Sequence, residues 1–72
     1  MTLVTVLYDG GLDPELDRKV RVAATATAGR ECGSGCALVP PFTRDLDFEF
    51  SDRWRAGWFI HLLPPETRSL WE

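Results

Sequence analysis

The sequence predicts an α+β domain with the element order βαββα, in which two helices pack on one face of a three-stranded sheet. Three observations support this: a β-branched segment at the N-terminus, a helix start at Asp13-Pro14, and a later stretch in which strand periodicity changes directly to helix periodicity. The 72 residues are enough for one small domain, spanning 1–72, with a core rich in aromatic residues.

The clearest pattern runs from Arg44 to Trp54. Apolar residues alternate here with carboxylates, and this period of two is typical of a strand with one buried face. The alternating residues are Asp45, Leu46, Asp47, Phe48, Glu49 and Phe50. Ser51 and Asp52 can each cap a helix that follows. Apolar residues recur in it with helical spacing, at Trp54, Trp58, Phe59, Leu62 and Leu63, while Ile60 falls outside this stripe. A single stripe of this kind cannot hide both Trp54 and Phe59 fully.

The N-terminal half predicts a strand and a helix. Thr2–Tyr8 is rich in β-branched residues and is followed by the turn residues Asp9-Gly10-Gly11. Asp13 can cap the helix, with Pro14 at its first position. Gly29 is expected to end it. The apolar positions between them have helical spacing: Leu16, Val20, Ala23 and Ala24.

The segment from Arg30 to Val39 allows two interpretations, because Gly33-Ser34-Gly35 interrupts it. It is either one bulged strand or a loop followed by a strand from Cys36 to Val39. A short link leads to the next strand, so these two strands should be antiparallel. The first helix is long enough to return the chain to a parallel neighbour of the first strand.

The C-terminal segment is predicted to contain no further strand. Pro64-Pro65 ends the last helix, and residues 66–72 form a short tail that Leu70 and Trp71 can anchor to the body. The resulting βαββα order resembles a shortened ferredoxin-like fold.

Composition and charge argue against several function classes. Eleven carboxylates stand against eight bases, and this net charge of −3 does not steer a protein to nucleic acid or anionic lipid. No apolar run approaches the roughly 20 residues that span a membrane, and the N-terminus lacks the basic region of a signal peptide. We therefore expect a cytoplasmic protein without direct nucleic-acid or membrane contact.

Cys32 and Cys36 are either free thiols or a disulfide. In an extended segment their backbones lie about 13 Å apart, beyond the roughly 7 Å that a disulfide allows, although a turn between them would bring them together. With His61 they supply only three of the four ligands of a structural zinc site. No local spacing matches a nucleophile and its base. We expect no enzyme, metal or cofactor.

An acidic ridge (Asp45, Asp47, Glu49 and Asp52) is the first candidate partner-binding surface. Its strand residues recur about every 6.6 Å, and such a row of carboxylates can imitate a phosphate backbone to a basic protein. The alternative is that a half-buried strand only needs a polar outer face. Arg44 and Arg53 are expected to flank the ridge and weaken its field.

Aromatic residues form the second candidate. A domain of this size encloses about four or five large rings, and the chain has more than that. Trp54 and Trp58 lie on the helix after the ridge, beside Arg53 and Arg55. Exposed Trp next to Arg is typical of interface hot spots. This composition predicts a partner-binding or homodimer surface, and the alternative is a monomer whose core covers all the rings.

A chain of this length and charge, with the acidic ridge and an aromatic surface, resembles the small phage and prophage anti-CRISPR proteins. The resemblance is one of size, composition and format, without a shared motif. It implies an inhibitor that binds a CRISPR effector complex in the host bacterial cytoplasm and blocks target DNA binding or nuclease recruitment. In that role the ridge would steer binding, and Trp54 and Trp58 would make buried contacts. The alternative is a homodimeric accessory, antitoxin-like protein.

Overall fold

A computed structural model describes residues 1–71. Over this range the chain forms β1 (Thr2–Tyr8), α1 (Pro14–Ala26), β2 (Arg30–Cys36), β3 (Arg44–Phe50), α2 (Arg53–Leu62) and β4 (Arg68–Trp71). The strands make one sheet in the order β2-β3-β1-β4, and each pair of neighbours is antiparallel. The predicted α+β class is confirmed.

The prediction of three strands is wrong, because the C-terminal tail forms β4. Thr5 of β1 pairs with Leu70, and Val4 pairs with Trp71. A segment of four residues is too short for its alternation to be recognised in the sequence. The free edge of β1, a distant segment, supplies the hydrogen-bond partners that make it a strand.

The predicted parallel neighbour of β1 is also wrong. β1 and β2 are each antiparallel to β3, so they run parallel to one another with β3 between them. This is a split βαβ arrangement, in which α1 connects strands that are not adjacent. Because β3 lies between β1 and β2, its apolar side is at the centre of the sheet, where the helices can cover it.

Between the two interpretations of the segment after α1, the bulged strand is confirmed. β2 pairs antiparallel with β3 as predicted, with a shift of register between Glu31 and Gly33. The alternative strand from Cys36 to Val39 is wrong, since β2 ends at Cys36. Pro40 and Pro41 follow, and proline has no N–H to donate to a strand ladder.

Both helices cover the same face of the sheet. The buried hydrophobic cluster consists of Val4, Val6, Val20, Ala23, Ala24, Leu46, Phe48, Phe50, Ala56 and Phe59. The Phe59 ring lies 5.2 Å from that of Phe48 and 5.0 Å from that of Phe50. The predicted apolar positions of α1 are buried, as the spacing indicated.

The end of α1 differs from the prediction. The helix ends at Ala26, and it is Ala28 that adopts a left-handed backbone conformation, with φ of 60°. Gly29 has a packing role instead, because a Cβ there would lie 2.5 Å from a ring carbon of Phe50. Its N–H donates to the carbonyl of Ala24 at 2.7 Å.

The apolar stripe of α2 is buried only in part. The side chains of α2 and its cap that contact the core are Ala56, Phe59, Ile60 and Leu63, so Ile60 packs inward although it falls outside the stripe. Trp54, Trp58 and Leu62 are exposed. The small Ala56 lets the helix approach the sheet closely, and with this side of α2 facing inward the rings of Trp54 and Trp58 face solvent.

Candidate partner-binding site

The uncovered face of the sheet carries the carboxylates of β3. Asp45, Asp47 and Glu49 are half-buried there, alternating with buried residues of the opposite face. Glycines of β2 lie directly beside two of them. A Cβ on Gly35 would be 2.9 Å from an Asp45 oxygen, and one on Gly33 would be 3.0 Å from an Asp47 oxygen. The two Asp side chains therefore lie over β2, in space that only glycine leaves open.

Most of this acidic row is already partnered within the chain. The hydroxyl of Thr5 donates to Asp47 at 2.7 Å. Glu49 forms an ion pair with Arg30. Asp45 has no side-chain hydrogen bond or ion pair among residues 1–71. The Thr5 hydroxyl does not neutralise Asp47, so the negative charge that no basic side chain of residues 1–71 balances lies on Asp45 and Asp47.

The fourth member of the acidic ridge, Asp52, is the N-cap of α2. Its side chain accepts a hydrogen bond from the Arg55 N–H at 2.8 Å, as the sequence predicted for a cap at this point. The negative charge therefore lies at the positive end of the helix dipole. The guanidinium of Arg53, the next residue, lies 4.6 Å from the ring centre of Trp71.

Apolar residues occupy the other half of the uncovered face. Leu3 and Leu7 of β1 pair with Glu49 and Asp45 of β3. Leu70 of β4 continues the apolar half, with 63% of its surface exposed, and Leu3 is 54% exposed. The uncovered face is thus acidic toward β2 and apolar toward β4.

The aromatic surface consists of Trp54, Trp58 and Trp71. Trp54 and Trp58 are 76% and 55% exposed, and their rings meet edge to face with centres 5.9 Å apart. This agrees with the expectation that some of the aromatic rings lie outside the core. Gly57 lies between them and Trp71, and a Cβ there would be 3.7 Å from the Trp71 ring. Trp54 and Trp58 therefore form one exposed pair on α2, and Trp71 of β4 lies next to the same helix at Gly57.

The two cysteines are free thiols. Cys32 is exposed, and Cys36 is half-buried in β2. The extended strand holds them apart, which agrees with the separation expected for that conformation. His61 lies exposed in the last turn of α2. Among residues 1–71 no group of three or more His, Cys, Asp or Glu side chains is placed to hold a metal ion. Neither helix is long and apolar enough to cross a membrane.

A buried charged network, which the sequence analysis missed, links β1, α1 and β3. Arg44 donates to Asp17 at 2.9 Å and to the carbonyl of Gly35 at 3.1 Å. The hydroxyl of Tyr8 donates to Asp17 at 2.5 Å. Arg44 was expected to flank the ridge, and it lies on the opposite face. The sequence contained a signal for this position, because Arg44 and Leu46 are two residues apart in β3 and therefore lie on the same face of the strand.

The network shifts the pKa values of its members. Burial alone would raise the pKa of Asp17, but hydrogen bonds from Arg44 and Tyr8 outweigh it and lower the pKa below 3.8. Burial raises the pKa of Tyr8, and the hydrogen bond to Asp17 raises it further. The hydrogen bond to Asp17 raises the pKa of Arg44. Asp17 is therefore a buried carboxylate held in its charged form.

Exposed ion pairs join the remaining elements. Asp9 accepts from Arg68 at 3.2 Å and from the Thr43 hydroxyl at 2.9 Å, and these bonds lower the pKa of Asp9. Arg21 of α1 donates to Glu31 of β2 at 2.8 Å. These contacts fix loops and edges and leave the aromatic surface free.

No protein family, curated protein or solved structure matches the chain. Function is therefore inferred from the surfaces described above.

Proposed function

We propose that this chain is a non-enzymatic domain that binds another protein and that the aromatic surface makes the main contact. The observation that carries the proposal is the exposed pair of Trp54 and Trp58, in contact with each other and with no cover from the rest of residues 1–71. Trp is the residue most enriched at interface hot spots, and burying a ring of 150–250 Å² supplies much of a typical contact energy.

The acidic ridge has a secondary role in this proposal. Asp47 and Glu49 are paired within the chain, and Asp52 caps α2. Asp45 and Asp47 supply the charge that no basic side chain in the described part of the chain balances, and Asp45 lies opposite Leu7 in the apolar half of the uncovered face. A basic partner would be attracted to this face, since complementary charge raises the association rate more than the final affinity.

The first specific function to test is the inhibitor that the resemblance to anti-CRISPR proteins implies. It requires a protein partner with a basic surface, which a CRISPR effector complex has where it holds DNA. The order βαββαβ, with β3 between β1 and β2, supports a complete ferredoxin-like domain rather than a shortened one. This scaffold would present the ridge and the aromatic surface on rigid elements.

A phage-interference experiment tests the inhibitor. The chain is expressed in a bacterium whose CRISPR system targets a challenge phage, and the efficiency of plaquing is measured for several effector types. Restored plaquing is expected with one type. The Trp54→Ala/Trp58→Ala variant should lose the effect, and Asp45→Lys/Asp47→Lys should reduce it. Glu15→Lys/Glu66→Lys is the matched control, because it makes the same charge change at exposed sites.

A pull-down at low and moderate salt tests the wider proposal. A partner that depends on the ridge is lost as salt rises, because screening weakens exposed charges. If the Trp54→Ala/Trp58→Ala variant captures the same partner with the same yield as the original chain, the assignment of the aromatic surface is overturned. The second candidate function, a homodimeric accessory protein, is favoured by one specific observation, the unpaired edge of β4 that adjoins Trp71.

A further inference from the structure

We infer that a second copy of this chain pairs with the free edge of β4, through its own β4 in antiparallel orientation. This inference goes beyond the proposed function, because it names a second contact surface, the β4 edge, and its occupant. It follows from the free edge of β4, the apolar residues on both sides of it, and the charges around it.

β4 is the last strand of the sheet, and within residues 1–71 nothing pairs with its outer edge. Unpaired N–H and C=O groups along a strand edge are a template for another strand. The opposite edge, β2, carries a bulge between Glu31 and Gly33 and begins with the charged Arg30. β4 also begins with an arginine, Arg68, but its register is continuous. A bulge discourages edge pairing, so β4 is the better template.

Apolar residues lie on both sides of the β4 edge. Trp71 faces the helix side, beside Gly57 of α2. Leu70 faces the uncovered side, opposite Thr5. A groove of about 860 Å³ runs along this end of the sheet, and its lining includes Met1, Leu3, Leu70 and Trp71. A strand added here would bury apolar surface above and below it.

Exposed apolar side chains lie around the β4 edge. Met1, Leu3 and Leu70 are all more than half exposed, and Trp71 is 38% exposed. At 150–250 Å² per ring, Trp71 offers roughly 60–95 Å² here. The aliphatic residues therefore supply most of the apolar surface that pairing at β4 would bury.

The charges around the patch permit self-association. Arg68 is paired with Asp9, and Asp52 is paired with Arg55. Arg53 lies on the Trp71 ring. Two copies can therefore meet at β4 without opposing like charges. On the uncovered face of the sheet, by contrast, two copies would bring their acidic rows near each other, at a cost in free energy.

Pairing of this kind is isologous, since the same surface of each copy meets itself across a two-fold axis. The two sheets become one continuous sheet of eight strands, with all four helices on one side and both acidic rows on the other. The dimer thus leaves the acidic face open for an external basic partner and presents it twice, which raises avidity when both sites are engaged.

A disulfide-trapping experiment tests the pairing. In an antiparallel two-fold pair centred on Ser69 or on Leu70, that residue lies opposite itself with Cα atoms about 4.5–5.5 Å apart, within disulfide range. Ser69→Cys and Leu70→Cys are made separately in a Cys32→Ser/Cys36→Ser chain and treated with diamide. Diamide takes up two electrons and two protons as two thiols form one S–S bond.

We expect one of the two variants to form a covalent dimer about tenfold faster than Ser34→Cys, its matched control on the β2 edge, because only β4 is held at close range. Sedimentation equilibrium should show the unmodified chain and Asp45→Lys/Asp47→Lys as dimers and Leu70→Lys as a monomer. An unmodified chain that is monomeric at high micromolar concentration, or Ser34→Cys that crosslinks as fast, would overturn the inference.

The two proposals fail in different ways. A monomeric chain that restores phage plaquing, and loses this effect with Trp54→Ala/Trp58→Ala, would exclude the dimer and keep the proposed binding function. A trapped β4 dimer that leaves phage interference unchanged for each effector type would keep the dimer and exclude the inhibitor.

Discussion

Replacing Asp17 with Asn should remove a large part of the stability of this domain. Asp17 and Arg44 are 6% and 8% exposed, and the substitution leaves the Arg44 guanidinium buried without its carboxylate. Breaking one side of a buried ion pair costs about 3–5 kcal/mol. At 0.05–0.15 kcal/mol per residue, the whole free energy of unfolding of a chain of this length is roughly 4–11 kcal/mol. The variant should therefore be marginally folded.

Urea denaturation followed by far-UV circular dichroism measures this loss. With a slope near 1 kcal/mol per molar urea, the midpoint should fall by about 3–5 M. Glu15→Gln is the matched control, because it neutralises the exposed ion pair of Glu15 with Arg18. Exposed pairs contribute at most about 1 kcal/mol, so its midpoint should stay close to that of the unmodified chain.

A double variant tests whether the stability lost in Asp17→Asn comes from the buried charge that is left unpaired. Asp17→Leu combined with Arg44→Met removes both charges and fills the space with apolar atoms, and it should recover much of the stability that Asp17→Asn loses. If the free energy of unfolding of Asp17→Asn lies within about 1 kcal/mol of that of the unmodified chain, the loss is no larger than that expected for an exposed pair. Water would then reach Arg44, and the reasoning about a buried network would be wrong.

The pH dependence gives an independent readout. The pKa of Asp17 is lowered in the folded state, so its contribution is fully present above the unfolded value of 3.8 and is lost as pH falls through the lower folded value. Asp9 and Glu31 also have lowered pKa values and contribute to the same acid limb. The difference between the unmodified chain and Asp17→Asn isolates Asp17, and this difference should shrink below pH 3.8.

Three further substitutions test local features, each by thermal or urea unfolding. Gly29→Ala should cost about 1–3 kcal/mol, because its Cβ would lie 2.5 Å from the Phe50 ring; an unchanged midpoint would show that the ring moves away freely. Gly57→Ala should stabilise the chain by about 0.5–1 kcal/mol, since the site is helical with room for a methyl group, and any loss would contradict that packing. Asp52→Ala should lower the free energy of unfolding by about 1 kcal/mol through the lost cap, whereas Ser51→Ala should change it little. Equal losses in the two variants would show that Asp52 is not the main cap.

Much of the local structure followed from neighbouring residues. Asp13 and Pro14 begin α1, and Asp52 caps α2, because a cap binds N–H groups only two or three residues away. The alternation in β3 predicted its two faces correctly, since side-chain direction in a strand depends only on parity. The acidic row of the candidate site was predictable for the same reason.

The partners of that row were not predictable. Thr5 and Arg30, which hold Asp47 and Glu49, come from two other strands, and only the register of the sheet brings them there. Register depends on contacts between segments far apart in the chain, which no local pattern contains.

The amino-acid sequence by itself determined where β1, α1, β3 and α2 begin, which face of β3 is acidic, and that the chain has more aromatic rings than its core can hold. The tertiary structure alone decided which rings stay outside. Packing of Ala56 and Phe59 against the sheet rotates α2 so that Trp54 and Trp58 face solvent. The free edge of β1 likewise recruits β4 and places Trp71 beside Gly57 of α2, because strand pairing depends on partners distant in sequence.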